Sequence, residues 1–325
     1  MIEDEMSPMS FTVLLAAPRG FCAGVERAIR TVELALDNRA PGDERPVYVR
    51  HEIVHNKVVV DDLRARGAVF VEDTREIPAG ATAVFSAHGV SPIVRQEAVA
   101  RRLLTLDATC PLVSRVHAAV LRYAGRGYTI LFVGHAGHPE VEGVMGEAPD
   151  QVRLIESIAD AERVEVPDAA RVAYATQTTL SLDDVSAIVQ TLRRRFPDMV
   201  GPQAGDVCYA TQNRQEAVQA LVEQHAADVV LVLGSPNSSN SNRLREVAES
   251  AGARAYLLGC VSELEPDWLA GATCVGVSAG ASTPEHLVQG MVDRLRALGA
   301  TDVQTVETRV EDVFFAPPPI RSSTL

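Results

Sequence analysis

Three cysteines, Cys22, Cys110 and Cys208, recur in matching surroundings, and that recurrence constrains the fold more than any other feature of the sequence. They lie in APRGFCAGVERAI, DATCPLVSRVHAAV and DVCYATQNRQEAV, 88 and 98 residues apart. A short apolar or extended run leads into each cysteine, and an apolar pattern at helical spacing follows it. The pattern is Val25, Ala28, Ile29, Val32 and Leu36 after the first, Val113, Val116 and Val120 after the second, and Ala217 and Leu221 after the third. Pro111 suits the first position of a helix, where its missing N–H would have no partner anyway. Each thiol is therefore expected in a strand-to-helix turn. The partial positive charge and spare N–H donors of a helix N-terminus favour the thiolate there.

Two polar loops follow each cysteine. The first set is HEIVHN at 51–56, GHAGHPEVEG at 134–143 and GSPNSSNSNRL at 234–244; the second is FSAHGVSP at 85–92, ATQTTLS at 175–181 and VSAGASTPEH at 277–286. His55, His138 and Asn240 lie 33, 28 and 32 residues beyond their cysteines, and His88, Thr178 and Ser282 lie 66, 68 and 74 beyond. The segments PVYVR, AVFSAHG, YTILFVGH, RVAYATQ, DVVLVLGS and TCVGVSAG read as short strands with helical stretches between many of them, the signature of α/β units on mainly parallel sheets. The fold expected is three similar α/β domains in a pseudo-threefold trefoil, their loops gathered around a central cavity. The boundaries run 11–23 for an N-terminal strand and first cysteine loop, 24–110, 111–204 and 205–298 for the three repeats, and 299–325 for a C-terminal tail. Loop breaks fall near 41–46, 147–151 and 196–206.

Composition narrows the setting. A chain of 325 residues, 46% hydrophobic and 22% charged, is a globular one. No apolar run is long enough to span a membrane, and the acidic start MIEDEMSPMS has no signal-peptide core, so a cytoplasmic location is expected. In that compartment five cysteines are read as thiols or metal ligands. The net charge of -13 without a basic stripe excludes duplex nucleic acid and anionic membrane as partners.

Three equivalent thiolates would leave one iron of a four-iron cluster without a protein ligand, an open position that can polarise a substrate oxygen and pass electrons to it. Cys260 and Cys274 sit in apolar segments and are read as inert thiols, and His117 as helix surface or core. The Ser and Asn cluster at 237–242, with His88 and His138 from other repeats, makes an anion cradle of N–H, O–H and imidazole donors that suits a diphosphate. Glu140, two residues after His138, becomes a proton donor if an anionic ligand raises its pKa. Two other readings stay open at this point. One is a zinc hydrolase or deaminase using His138, Glu140 and a cysteine, although the CxxC that completes the zinc deaminase pattern is missing. The other is an iron–sulfur sensor that binds a phosphorylated ligand.

Eight of these stretches, APRGFCAGVERAI, HEIVHN, FSAHGVSP, DATCPLV, GHAGHPEVEG, TQTTLS, CYATQNRQEA and GSPNSSNSNRL, occur in an order that resembles the 4-hydroxy-3-methylbut-2-enyl diphosphate reductase family of the methylerythritol phosphate route to isoprenoids. The resemblance runs from about residue 12 to 295. It implies a trefoil fold and a 4Fe–4S cluster held by Cys22, Cys110 and Cys208, with one open iron. It implies diphosphate binding by His55, His88, His138, Ser238, Ser239, Asn240 and Ser282, and a catalytic set of Glu140, Thr178 and His138. The implied reaction is a two-electron, two-proton removal of the substrate hydroxyl, giving isopentenyl and dimethylallyl diphosphate. The implied partners are the allylic diphosphate and an electron donor such as flavodoxin or ferredoxin.

Overall fold

The computed structural model describes residues 10–39, 45–202 and 206–319. The acidic start at 1–9, residues 40–44 and 203–205 of two loop breaks, and the tail from 320 lie outside the described residues. The chain begins with β1 (Phe11–Ala17), Cys22 and α1 (Ala23–Asp37). Next come β2 (Val47–Arg50), α2 (Lys57–Ala65), β3 (Ala68–Val71), β4 (Thr82–Phe85), α3 (Pro92–Ala100) and β5 (Leu104–Asp107), which leads to Cys110 and α4 (Pro111–Ala124). The same plan returns as β6 (Thr129–Val133), α5 (Pro139–Met145), β7 (Val152–Ile155), α6 (Ile158–Arg163), β8 (Val172–Thr176) and α7 (Leu182–Arg195), then Cys208 and α8 (Tyr209–Glu223). The last stretch carries β9 (Val229–Leu233), α9 (Ser239–Ser250), β10 (Arg254–Leu258), β11 (Cys274–Ala279), α10 (Glu285–Ala297) and β12 (Ala300–Glu307).

The chain divides into two compact units. The first holds Met1–Cys22, His55–Lys57 and Tyr209–Val313; the second holds Ala23–Val54, Val58–Cys208 and Phe314–Leu325. In the first unit one sheet runs β10-β9-β11-β1-β12; in the second, two sheets run β3-β2-β4-β5 and β7-β6-β8. Every strand pairing among them is parallel. The three orders are one order repeated: the second strand of a group flanks the first, and the third lies on the first strand's other side. The strand that leads to a cysteine comes next, as β5 before Cys110 and β1 before Cys22. Beside β8 that place is reduced to a single parallel bridge between Ala173 and Val200, ahead of Cys208. The six strands expected from apolar runs all form, in a mixed α/β architecture of parallel sheets. The segment assigned to a tail from residue 299, however, opens with β12, which pairs with β1 from Ala300 to Glu307.

Strands in parallel sheets are covered on both faces, which is why they read as unbroken apolar runs. In β9 the alternation is visible in what each side chain meets. Val229, Leu231 and Leu233 join one core with Met291 and Leu295 of α10, while Val230 and Val232 join another with Leu221 of α8 and Leu244 of α9. In β6, Leu131 and Val133 face α7, whereas Ile130 and Phe132 pack with Val116 and Val120 of α4. The helices after Cys208 and Cys110, α8 and α4, are thus pinned by apolar burial.

Candidate active site

Each cysteine immediately precedes its helix: Cys22 before Ala23, Cys110 before Pro111, and Cys208 before Tyr209. Cys110 is the N-cap of α4, with Pro111 in the first turn as the sequence suggested. None of the five cysteines is in a disulfide, and all are partly buried. The backbone N–H of each of the three donates to a carbonyl of the second polar loop of a sheet: Cys22 to Ala281 at 3.3 Å, Cys110 to Ala87 at 3.0 Å and Cys208 to Thr178 at 3.0 Å. Ala281 adjoins Ser282, Ala87 adjoins His88, and Thr178 is itself a candidate. One hydrogen bond per repeat therefore couples a thiol turn to a loop carrying a polar site residue.

In the second unit a buried carboxylate stands at the end of β8. Glu140, 1% exposed, accepts from the Thr178 backbone N–H at 2.8 Å on Oε1 and from Thr178 Oγ1 at 2.9 Å on Oε2. Burial pushes the Glu140 carboxyl up to about 7, outweighing the two hydrogen bonds from Thr178, and the negative charge of Asp206 adds to the upward push. His138 caps α5, its Nδ1 accepting from the Glu140 N–H at 3.1 Å. In the neutral ring the proton then lies on Nε2, making that nitrogen a donor. The His88 ring stands edge-on to His138 with centroids 5.6 Å apart, and its Nδ1 is 3.3 Å from Ser86 Oγ. His88, His138, Glu140 and Thr178 are so brought together at the strand ends of the second unit.

In the first unit the loops after β9 and β11 close on each other. Ser238 caps α9, its Oγ accepting from the Ser241 N–H at 3.3 Å and lying 3.0 Å from Ser241 Oγ. Ser241 fits only because Gly234 and Gly280 lack side chains: a Cβ at either would fall 2.1 or 2.0 Å from its Oγ. Asn240 Oδ1 accepts from the Ala281 N–H at 2.9 Å, and Ser282 Oγ donates to the His55 carbonyl at 2.9 Å. His55, Asn240 and Ser282 are thereby joined to one loop cluster, with Ser239 opening α9 beside them. Asn240 is 5% exposed, and its Nδ2 is a buried donor with no hydrogen-bond partner among the described residues. Leaving such a group unsatisfied costs about 1–3 kcal/mol, which a ligand oxygen would recover.

His117 lies within its reading as helix surface or core, while its partners and several residues around the site escaped the sequence reading. His117 is core: it is 4% exposed, its Nδ1 is 2.7 Å from Glu147 Oε1, and Arg95 Nη1 lies 3.1 Å from the same oxygen. Burial raises the Glu147 pKa, but His117 and Arg95 outweigh it and hold the carboxyl below its ordinary value. Gln177, wholly buried, accepts the His135 N–H at 3.0 Å and so braces the loop that leads to His138. Asp206 accepts from the Thr176 N–H at 3.0 Å, and burial moves its carboxyl upward. Of the two remaining cysteines, Cys274 has its thiol pushed up by burial and by Asp228, and the Cys260 thiol lies 3.5 Å from Glu263 Oε1. The raised Cys274 thiol is the less reactive form. Among the described residues no three His, Cys, Asp or Glu side chains are grouped as ligands of a single ion. No helix among them is long and apolar enough to cross a membrane.

The chain is similar to known proteins over most of its length. Residues 13–296 match the family model described as LytB protein. The 4-hydroxy-3-methylbut-2-enyl diphosphate reductase of Ralstonia nicotianae is 54% identical over 94% of this chain and 93% of its own length. The enzyme of that name from Aromatoleum aromaticum is 55% identical, over 94% and 96%. The solved structure of E-1-hydroxy-2-methyl-but-2-enyl-4-diphosphate reductase from Plasmodium falciparum superposes with a TM-score of 0.86 at 36% identity, covering 94% of this chain and 95% of that one.

Proposed function

We propose that this chain, which belongs to the LytB protein family of reductases, removes the hydroxyl of 4-hydroxy-3-methylbut-2-enyl diphosphate reductively, giving isopentenyl and dimethylallyl diphosphate. Two electrons and two protons enter, the C–O bond breaks, and water leaves. The observation that carries the reading is the buried Glu140–Thr178 pair, a carboxyl kept protonatable near neutral pH and aimed by two hydrogen bonds.

Cys22, Cys110 and Cys208 are the ligands we assign to a 4Fe–4S cluster. The donor set fits: three thiols, each at a helix N-terminus and each with its backbone tied to a polar loop. When bound, the cluster supplies electrons and a Lewis-acidic iron without a protein ligand. Glu140 gives the proton that lets water depart in place of hydroxide. Thr178, donating to the Glu140 carboxylate through its hydroxyl, keeps that group turned to the same point and can hand on the hydrogen bond to a substrate hydroxyl. His55, His88, His138, Ser238, Ser239, Asn240 and Ser282 hold the diphosphate, whose binding energy positions the alcohol far from the charged end. The electron donor is a small redox protein of the flavodoxin or ferredoxin type, and the chain works in the cytoplasm.

The test is anaerobic purification, iron and sulfide counting, and turnover of the hydroxy diphosphate with a strong artificial reductant. About four irons per chain and five-carbon diphosphate products are the expected result. One zinc without visible absorbance would overturn the mechanism, and a cluster without turnover would favour a sensor.

A further inference from the structure

Arg214 is 0% exposed and ranks among the largest fully buried side chains, yet it is a cation on α8, the helix that opens at Cys208. All five of its N–H donors are used. Nε donates to the Gly20 carbonyl at 3.0 Å and Nη2 to the Phe21 carbonyl at 3.1 Å. Nη1 donates to the Ala210 carbonyl at 2.9 Å. The remaining two N–H groups pair with Glu311, Nη1 to Oε1 at 2.9 Å and Nη2 to Oε2 at 3.2 Å, and Asn213 Nδ2 adds a third bond to that carboxylate at 3.0 Å. Gly20 and Phe21 are the two residues directly before Cys22, and Gly20 has a φ of +64° that few other residues adopt. The backbone that presents this thiol is therefore held by a guanidinium fork whose charge is matched by Glu311.

The arrangement recurs independently in the second unit. Arg27, on the helix that opens after Cys22, donates from Nη1 to the Thr109 carbonyl at 2.8 Å and from Nη2 to the Asp107 carbonyl at 3.2 Å. Thr109 directly precedes Cys110. Arg27 also reaches the chain near its end, Nε donating to the Ala316 carbonyl at 3.0 Å. Two cysteine turns are thus gripped in the same way, at the carbonyls just upstream, by an arginine one to two turns into a helix that another cysteine opens. Apolar packing alone would hold these helices; what the two guanidinium groups add is directional bonds to the carbonyls just upstream of a cysteine.

We infer that Arg214, closed by Glu311, is a positioning residue that sets the Cys22 turn for cluster ligation and slows loss of the cluster, and that Arg27 does the same for Cys110. The inference rests on the cluster assignment above. Because Glu311 neutralises Arg214, what reaches the thiolate is geometry more than charge. A lysine in either place keeps the charge but has three donors on one atom, and cannot span the Gly20 and Phe21 carbonyls and Glu311 as Arg214 does, or the Asp107, Thr109 and Ala316 carbonyls as Arg27 does.

The experiment compares wild type, Arg214→Lys, Arg27→Lys and Cys22→Ser as reconstituted holoproteins, following iron release to a chelator by the decay of visible absorbance. Circular dichroism melts of each apo-protein run alongside. Arg214→Lys and Arg27→Lys are expected to load iron and to lose it roughly 10- to 100-fold faster than wild type, with apo-protein melting close to wild type. Wild-type release rates in both variants would overturn the inference while leaving the cluster assignment intact. So would iron loss that merely follows a lowered melting temperature. If Arg214→Lys does not fold, Arg27→Lys decides in the other unit. A Cys22→Ser protein that keeps a full, equally slow-releasing cluster would remove the ligation reading itself and the inference with it.

Discussion

In the proposed reaction Glu140 serves as the acid, and two opposing effects set its carboxyl at about 7: burial favours the neutral form, and the Thr178 hydrogen bonds favour the charged one. Glu140→Gln keeps the shape and removes the proton, so turnover is expected to fall by roughly 10² while the iron content stays as in wild type. Thr178→Val deletes the hydroxyl but leaves the backbone N–H, so one of the two bonds that lower the pKa is lost. The acid must be protonated to work, so kcat/KM should decline as pH rises through about 7 in wild type, and that decline should move to higher pH in Thr178→Val. A pH profile of kcat/KM, which reports the free enzyme, is the check; an unmoved limb would deny Glu140 the role of acid. Glu140 was legible in the sequence from its place two residues after His138. The buried His117–Glu147 pair was not, because its members lie 30 residues apart and nothing in either neighbourhood signals the other.

At the scale of elements, the glycines beside the site decide how closely strand ends and helices approach. Gly89 follows His88, has a φ of +80°, and would place a Cβ 2.8 Å from His117 Nε2. Gly143 of α5 lies against the same ring and against the Gly89 carbonyl. Gly89→Ala is therefore expected to cost about 1–3 kcal/mol in chemical denaturation. Adding His117→Ala should recover the steric part and leave the cost of positive φ, a coupling that a double-mutant cycle reads directly. The pattern of which strands were legible has a related cause. β2, β4, β6, β8, β9 and β11 stood out as apolar runs, and all but β8 are interior in their sheets, with β8 bridged at Val200. The strands not singled out, β3, β5, β7, β10 and β12, are all sheet edges. An edge strand is covered on fewer sides and needs less apolar sequence. β5 is mostly exposed, and β12 shows a solvent-facing pattern that made it read as tail. The site loops were legible because they follow the strands that were.

For the molecule as a whole, the raised Glu140 pKa is also a statement about stability. The unfolded chain gives up this proton near 4.5 and the folded chain near 7, so between those values the native state holds more protons and its stability falls as pH rises. Denaturant titrations of the apo-protein should show Glu140→Gln gaining on wild type as pH is raised from about 4.5 to about 7, with a constant difference beyond. A difference that stays flat across the range would mean the carboxyl is not buried as described. A last consequence concerns the order in which the protein can be built. β1, which carries the chain to Cys22, is paired on one side with β11 and on the other with β12, from Phe11 against Ala300 to Ala17 against Glu307. The ribosome makes β1 first and its two neighbours last, so almost the whole polypeptide must emerge before that strand has a place to settle. The Cys22 turn is the first cysteine turn synthesised and the last to acquire its framework, which makes loading of the proposed cluster an event of the finished chain and not of the nascent one.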